Sequence, residues 1–179
     1  HIASVEAFQA PSRTRIAVGE AVGVTLSTQV YLRPGEILCR ADETPPEVGT
    51  RFKTSVFWLG RRPLSTGRRY KLKLGTAATT AYVREILRVM DASDLSVGGL
   101  RQHVERHEVA EVVLETVRPL AYDRATGCAE TVRFVLVDGY DLAGGGTITE
   151  TLAAAASLFE ERSDQRRARW TRGSVTPGE

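Results

Sequence analysis

The stretch Arg69-Tyr70-Lys71-Leu72-Lys73-Leu74 decides how this chain folds. Tyr70, Leu72 and Leu74 alternate with charged side chains, the period of two that sends one face of a β-strand into a core and the other into water. The same pattern continues on both sides. Segment 52–59 precedes this stretch, and segments 80–89, 109–117 and 132–137 follow, separated by turn-forming residues such as Pro63, Pro119 and Gly127. Ala110, Val112 and Leu114 alternate with Glu111, Val113 and Glu115 in the same way. Toward the N-terminus, residues 2–8, 20–26 and 35–39 read as further short strands, and Thr44-Pro45-Pro46-Glu47-Val48-Gly49 reads as a linker. Strands at this spacing without alternating helices predict antiparallel barrels or sandwiches and argue against a parallel sheet with crossover helices. The expected fold class is all-β. Val56, Trp58, Tyr70, Leu72, Leu74, Val112, Leu114, Phe134 and Leu136 are the expected inward-facing side chains.

One helix is expected near the C-terminus. Residues 151–162 are rich in alanine and other strong helix formers, with Leu152, Ala155, Ala156 and Phe159 on one face. The remainder to Glu179 is polar and arginine-rich, with Trp170 its only large apolar group, and reads as a linker or a segment ordered by a partner.

At 179 residues and 42% hydrophobic, the chain can bury one large core or two small ones. A net charge of +2 is too balanced for a dedicated nucleic-acid binder. No window approaches the roughly 18 apolar residues of a membrane span, and Cys39 and Cys128 are expected as reduced thiols of a cytoplasmic protein. The chain contains no asparagine.

Catalytic constellations are thin. No G-x-x-x-x-G-K-[ST] phosphate loop occurs, and Asp141-Leu142-Ala143-Gly144 matches the loose D-x-x-G switch pattern only by accident. Gly144-Gly145-Gly146 is read as a turn needing positive φ or as a close backbone approach. His103 and His107 would share one face of a helix, but their polar surroundings point to a solvated loop, and no third ligand stands nearby. No catalytic, cofactor or metal residue is therefore expected. The strongest charge feature is the run from Arg61 to Lys73, in which Arg61, Arg62, Arg68, Arg69, Lys71 and Lys73 are candidate contacts for a partner or for phosphate. A hairpin whose charges simply face water explains the same run, and the alternation, which turns Tyr70 toward the core, supports that alternative.

The order of segments resembles a known family. Gly19-Glu20-Ala21-Val22-Gly23-Val24-Thr25-Leu26 followed by Arg33-Pro34-Gly35-Glu36-Ile37-Leu38 is similar to late strands in the second domain of elongation-factor-Tu-like GTPases. Val56-Phe57-Trp58-Leu59, residues 67–76, Pro119-Leu120-Ala121-Tyr122-Asp123 and residues 133–140 resemble the third domain in the branch that forms the large, GTPase subunit of sulfate adenylyltransferase. The resemblance implies a partial domain-II-like barrel over residues 1–44, a linker over 45–51, a domain-III-like barrel over 52–151, and a helix with interdomain linker over 152–179. It further implies that GTP and Mg2+ bind a GTPase domain outside this sequence, and that the small subunit of sulfate adenylyltransferase is the partner. The tail is similar to the linker that leads into an adenylylsulfate kinase domain in bifunctional forms. The alternative implied by the same superfamily is an RNA-binding barrel of a translation-factor-like GTPase.

Overall fold

A computed structural model describes residues 1–7, 13–91, 97–98, 101–123 and 130–153. The chain divides into two compact units between Arg33 and Pro34. In the first, β1 (Ile2–Glu6) pairs antiparallel with β2 (Gly23–Leu26), and Val5, Val24 and Leu26 are half-buried.

The second unit is an antiparallel barrel. Its strands are β3 (Glu47–Trp58), β5 (Arg69–Leu74), β6 (Ala77–Asp91), β9 (Glu108–Tyr122), β10 (Arg133–Asp138) and β11 (Asp141–Thr151). They run in the order β5-β10-β11-β3-β9-β6, and pairing of β5 with β6 closes the ring, which leaves these strands no open sheet edge. A two-residue strand, β7 (Val97–Gly98), extends the end of β6, while β4 (Leu64–Ser65) pairs with β8 (His103–Val104) and contributes fully buried Leu64 and Val104.

Alternation does what it predicts. Along β5 the side chains are exposed and buried in strict turn, and all nine expected inward-facing residues lie in the core. Thr54 is also fully buried, and its hydroxyl donates to the Val112 carbonyl at 3.1 Å, so the polar atom is satisfied.

Several expectations change. Residues 47–51, read as linker, form the start of β3 and pair with the end of β9: Glu47 stands opposite Tyr122 and Gly49 opposite Leu120. Pro119, read as a break, lies inside β9. Proline has no N–H to give to a ladder, and the register of β3 on β9 shifts between Gly49 and Arg51 to let the proline pass. Segment 35–39 makes no strand. Gly35 turns there with a φ of 98°, and its N–H donates to the Thr76 side chain at 2.9 Å instead of to a neighbouring strand. The glycines at 144–146 form not a turn but the middle of β11, with no positive φ, so the close-approach alternative holds. Thr151, expected to open the C-terminal helix, ends β11. The rest of that helix beyond residue 153, Trp170 and Cys128 all lie outside the described residues. Cys39 is exposed and free. Among the described residues, no helix is long and apolar enough to cross a membrane.

Candidate functional site: a cationic cleft at one end of the barrel

Trp58 is the last residue of β3 and is fully buried. The strand's alternation turns its indole inward, where it meets Tyr70 edge-to-face with ring centroids 5.3 Å apart. A buried indole N–H requires an acceptor, and Nε1 donates to the Arg62 carbonyl at 2.8 Å. Gly60 lies so close to the ring that a Cβ there would stand 2.6 Å from Trp58 Cζ2. One buried side chain thus fixes the loop that carries Arg61 and Arg62.

The backbone around Trp58 ties down two more loops. Its carbonyl accepts the His107 N–H at 2.7 Å, and the next residue, Leu59, donates its N–H to the Ala143 carbonyl at 2.8 Å. His107 has a φ of 72°, the left-handed region that a residue with a Cβ enters at a cost. Buried Glu108 helps hold the chain there, accepting the Glu105 N–H and the Arg101 guanidinium, each at 2.7 Å. The result is an open cleft of about 600 Å³, with Arg61, Arg62 and Arg106 on loops tied to Trp58, and Asp138, Asp141 and Leu142 contributed by the β10–β11 hairpin.

The charges in and around the cleft are not equivalent. Asp138 is neutralised by Arg68 at 2.9 Å, and the same guanidinium lies 5.6 Å from the centre of the Tyr70 ring. Burial pushes the Tyr70 hydroxyl above the ordinary phenol range, against the opposing pull of the Arg68 charge, so Tyr70 stays a neutral phenol. Arg61, Arg62 and Arg106 enter no ion pair among the described residues.

The structure divides the six cations singled out from the sequence. Arg61 and Arg62 line the cleft, and Arg68 is held by Asp138. Arg69, Lys71 and Lys73 are exposed on the outer side of β5, opposite Tyr82, Thr80 and Ala78 of β6. They do not converge on one point. Arg106 was hidden in a segment read as a solvated loop. In fact Val104 and Glu108 of that segment are buried, whereas His103 and His107 stand exposed in a strand and a turn, not on a helix. No sequence signal marks Arg106, because it joins the cleft lining only through a hydrogen bond from the neighbouring His107 backbone to Trp58.

The fold is a closed antiparallel barrel preceded in the chain by a smaller β-unit. The structure of Sup35 complexed with GDP matches 85% of this chain and 38% of that one with a TM-score of 0.71, at 18% identity. Residues 51–149 match the family described as GTP-eEF1A C-terminal domain-like, and the chain belongs to that family. Among curated relatives, sulfate adenylyltransferase subunit 1 of Laribacter hongkongensis is 30% identical over 158 residues, covering 84% of this chain and 31% of the relative. Its counterpart in Chromobacterium violaceum is 26% identical over 163 residues, covering 86% and 34%. The bifunctional enzyme CysN/CysC of Xylella fastidiosa is 27% identical over 163 residues, covering 89% and 26%. The chain spans about a third or less of the length of these relatives.

Proposed function

We propose that this chain supplies the non-catalytic β-modules of a sulfate-activating GTPase subunit. The observation that carries this reading is the similarity to sulfate adenylyltransferase subunit 1 over most of the chain, which reaches beyond the barrel into the first unit. In this reading residues 1–44 belong to a second-domain barrel and residues 52–151 are the third-domain barrel. GTP and Mg2+ are bound by a GTPase domain encoded outside the 179 residues. The barrels transmit its nucleotide state, by rigid-body rearrangement, to the small subunit that forms adenylylsulfate from ATP and sulfate. Similarity to a CysN/CysC enzyme supports a fused adenylylsulfate kinase as a further neighbour, and in this reading the protein works in the cytoplasm.

Two outcomes test the reading. Joined to a GTPase domain of this family, the chain copurifies with a sulfate adenylyltransferase small subunit, and the yield of complex differs between GDP and a non-hydrolysable GTP analogue. On its own it shows no magnesium-dependent binding of GTP in calorimetric titration. Micromolar magnesium-dependent affinity of the isolated chain, or no complex with the joined protein, overturns it.

The exposed outer row of Arg69, Lys71 and Lys73, which enters no ion pair among the described residues, favours one competing reading, an RNA-binding barrel. Residues two apart on a strand lie about 6.6 Å apart, close enough for successive phosphates to be met. Tyr70, however, is buried and cannot stack on a base. Three phosphate contacts without stacking give a log–log salt slope of about 2–3, from roughly 0.7–0.9 per contact, so tRNA binding is expected to vanish near physiological salt. Submicromolar affinity that persists there, and falls on Arg69→Ala/Lys71→Ala, puts RNA binding first.

A further inference from the structure

The cleft at the end of the barrel suggests an activity separate from coupling. We infer that Arg61, Arg62 and Arg106 form a binding site for an organic phosphate or sulfate ester, independent of magnesium. Arg61 and Arg62 ride on the loop held by the Trp58 indole, and Arg106 on the turn held by the Trp58 carbonyl. The three guanidinium groups belong to loops fixed at a single strand end, rather than being strung along a strand like Lys71 and Lys73. Three cations lining one cleft suit a compact multivalent oxyanion, and an extended acidic segment needs a line of them. Guanidinium forks match the oxygens of a phosphate or sulfate with paired hydrogen bonds.

The remaining wall defines the rest of the ligand. About 600 Å³ is far more than an inorganic oxyanion fills and lies within the range of sites for small organic molecules. Asp141, which enters no ion pair among the described residues, is an acceptor for hydroxyl or amino groups, and Leu142 offers a small apolar surface. Asp138 is already neutralised by Arg68, so Arg61, Arg62 and Arg106 outnumber the single uncompensated carboxylate of the cleft, Asp141, three to one. A phosphate or sulfate joined to a hydroxyl-bearing body fits all of these groups.

The test uses the whole chain without divalent metal. Titration with adenosine 5′-monophosphate, with ribose 5-phosphate and with inorganic sulfate is followed by calorimetry and by shifts of the arginine side-chain resonances. The esters are expected to bind more tightly than sulfate. Arg106→Ala is expected to weaken ester binding by about tenfold or more, the loss of a hydrogen bond to a charged group. Arg69→Ala, an exposed cation on the side of the barrel, leaves it unchanged. Because the Arg106 side chain is exposed, the variant's circular dichroism and melting point verify that it is folded. Equal weakening by Arg69→Ala and Arg106→Ala reveals diffuse charge attraction and overturns the site. So does tighter binding of a glutamate-rich peptide than of either ester, or no binding of the esters at millimolar concentration. None of these outcomes depends on whether the chain couples a GTPase to sulfate activation.

Discussion

Replacing Trp58 with alanine is expected to lower the stability of the chain by about 3–5 kcal/mol, the usual cost of emptying a large aromatic site in a core. Trp58 is fully buried and packs on Tyr70, Gly60 and Gly144. Its removal leaves a cavity among residues that cannot all collapse, because Gly60 and Gly144 have no side chains to move in. It also leaves the Arg62 carbonyl without its donor. Urea titration followed by far-ultraviolet circular dichroism measures the loss, since the fluorophore itself is removed. Trp58→Phe separates the two contributions: it keeps an aromatic ring but not the N–H, and the hydrogen bond alone accounts for about 1 kcal/mol. Tyr140→Ala, at a fully exposed position in the β10–β11 hairpin, is expected to stay within about 0.5 kcal/mol of the parent. A loss below that of Tyr140→Ala for Trp58→Ala would remove Trp58 from the centre of the barrel end.

How much of this was legible depended on the kind of interaction involved. Strand identity in the barrel rests on a local pattern, and the alternation through Tyr70, Leu72 and Leu74 survives into the fold residue by residue. The residues that carry the resemblance, 56–59 and 133–140, fall inside the stretch that matches the family, residues 51–149. Strand ends were less visible. Glu47 joins β3 because Tyr122 stands opposite it, and Tyr122 donates its hydroxyl to Glu47 Oε2 at 2.8 Å; neither residue reports the other within its own neighbourhood. The cleft was half visible. Charge density picked out Arg61 and Arg62, but it grouped them with Lys71 and Lys73, which the pleat sends to a different surface. Arg106 needed the left-handed turn at His107 and a hydrogen bond to a distant strand, and neither leaves a periodic trace.

The glycine triplet of β11 provides the second large effect, with its own internal control. Gly146→Ala is expected to destabilise the barrel severely and Gly144→Ala comparably, while Gly145→Ala is expected to be neutral or mildly stabilising. None of the three has a positive φ, so backbone strain is not the reason. The reason is the space between β11 and β3, where Gly144 pairs with Trp58 and Gly146 with Val56. A Cβ on Gly144 would stand 2.8 Å from the Phe57 carbonyl oxygen and 2.9 Å from Trp58 Cε3. One on Gly146 would overlap the Ser55 carbonyl oxygen and stand 2.9 Å from Phe134 Cζ. Carbonyls in a ladder cannot move aside without lengthening their hydrogen bonds, so the strands must separate. Overpacking of this kind costs about 1–3 kcal/mol and sometimes more. A Cβ on Gly145 meets only the Phe134 carbonyl oxygen, at 3.5 Å, an ordinary contact. There the smaller entropy of the unfolded chain contributes about 0.4–1 kcal/mol in favour of alanine. Melting temperatures of the three variants decide the matter. If Gly145→Ala falls as far as its neighbours, the close approach of β11 to β3 does not explain the triplet. If only Gly144→Ala and Gly146→Ala fall, the close approach of β11 to β3 is what requires glycine beside Trp58.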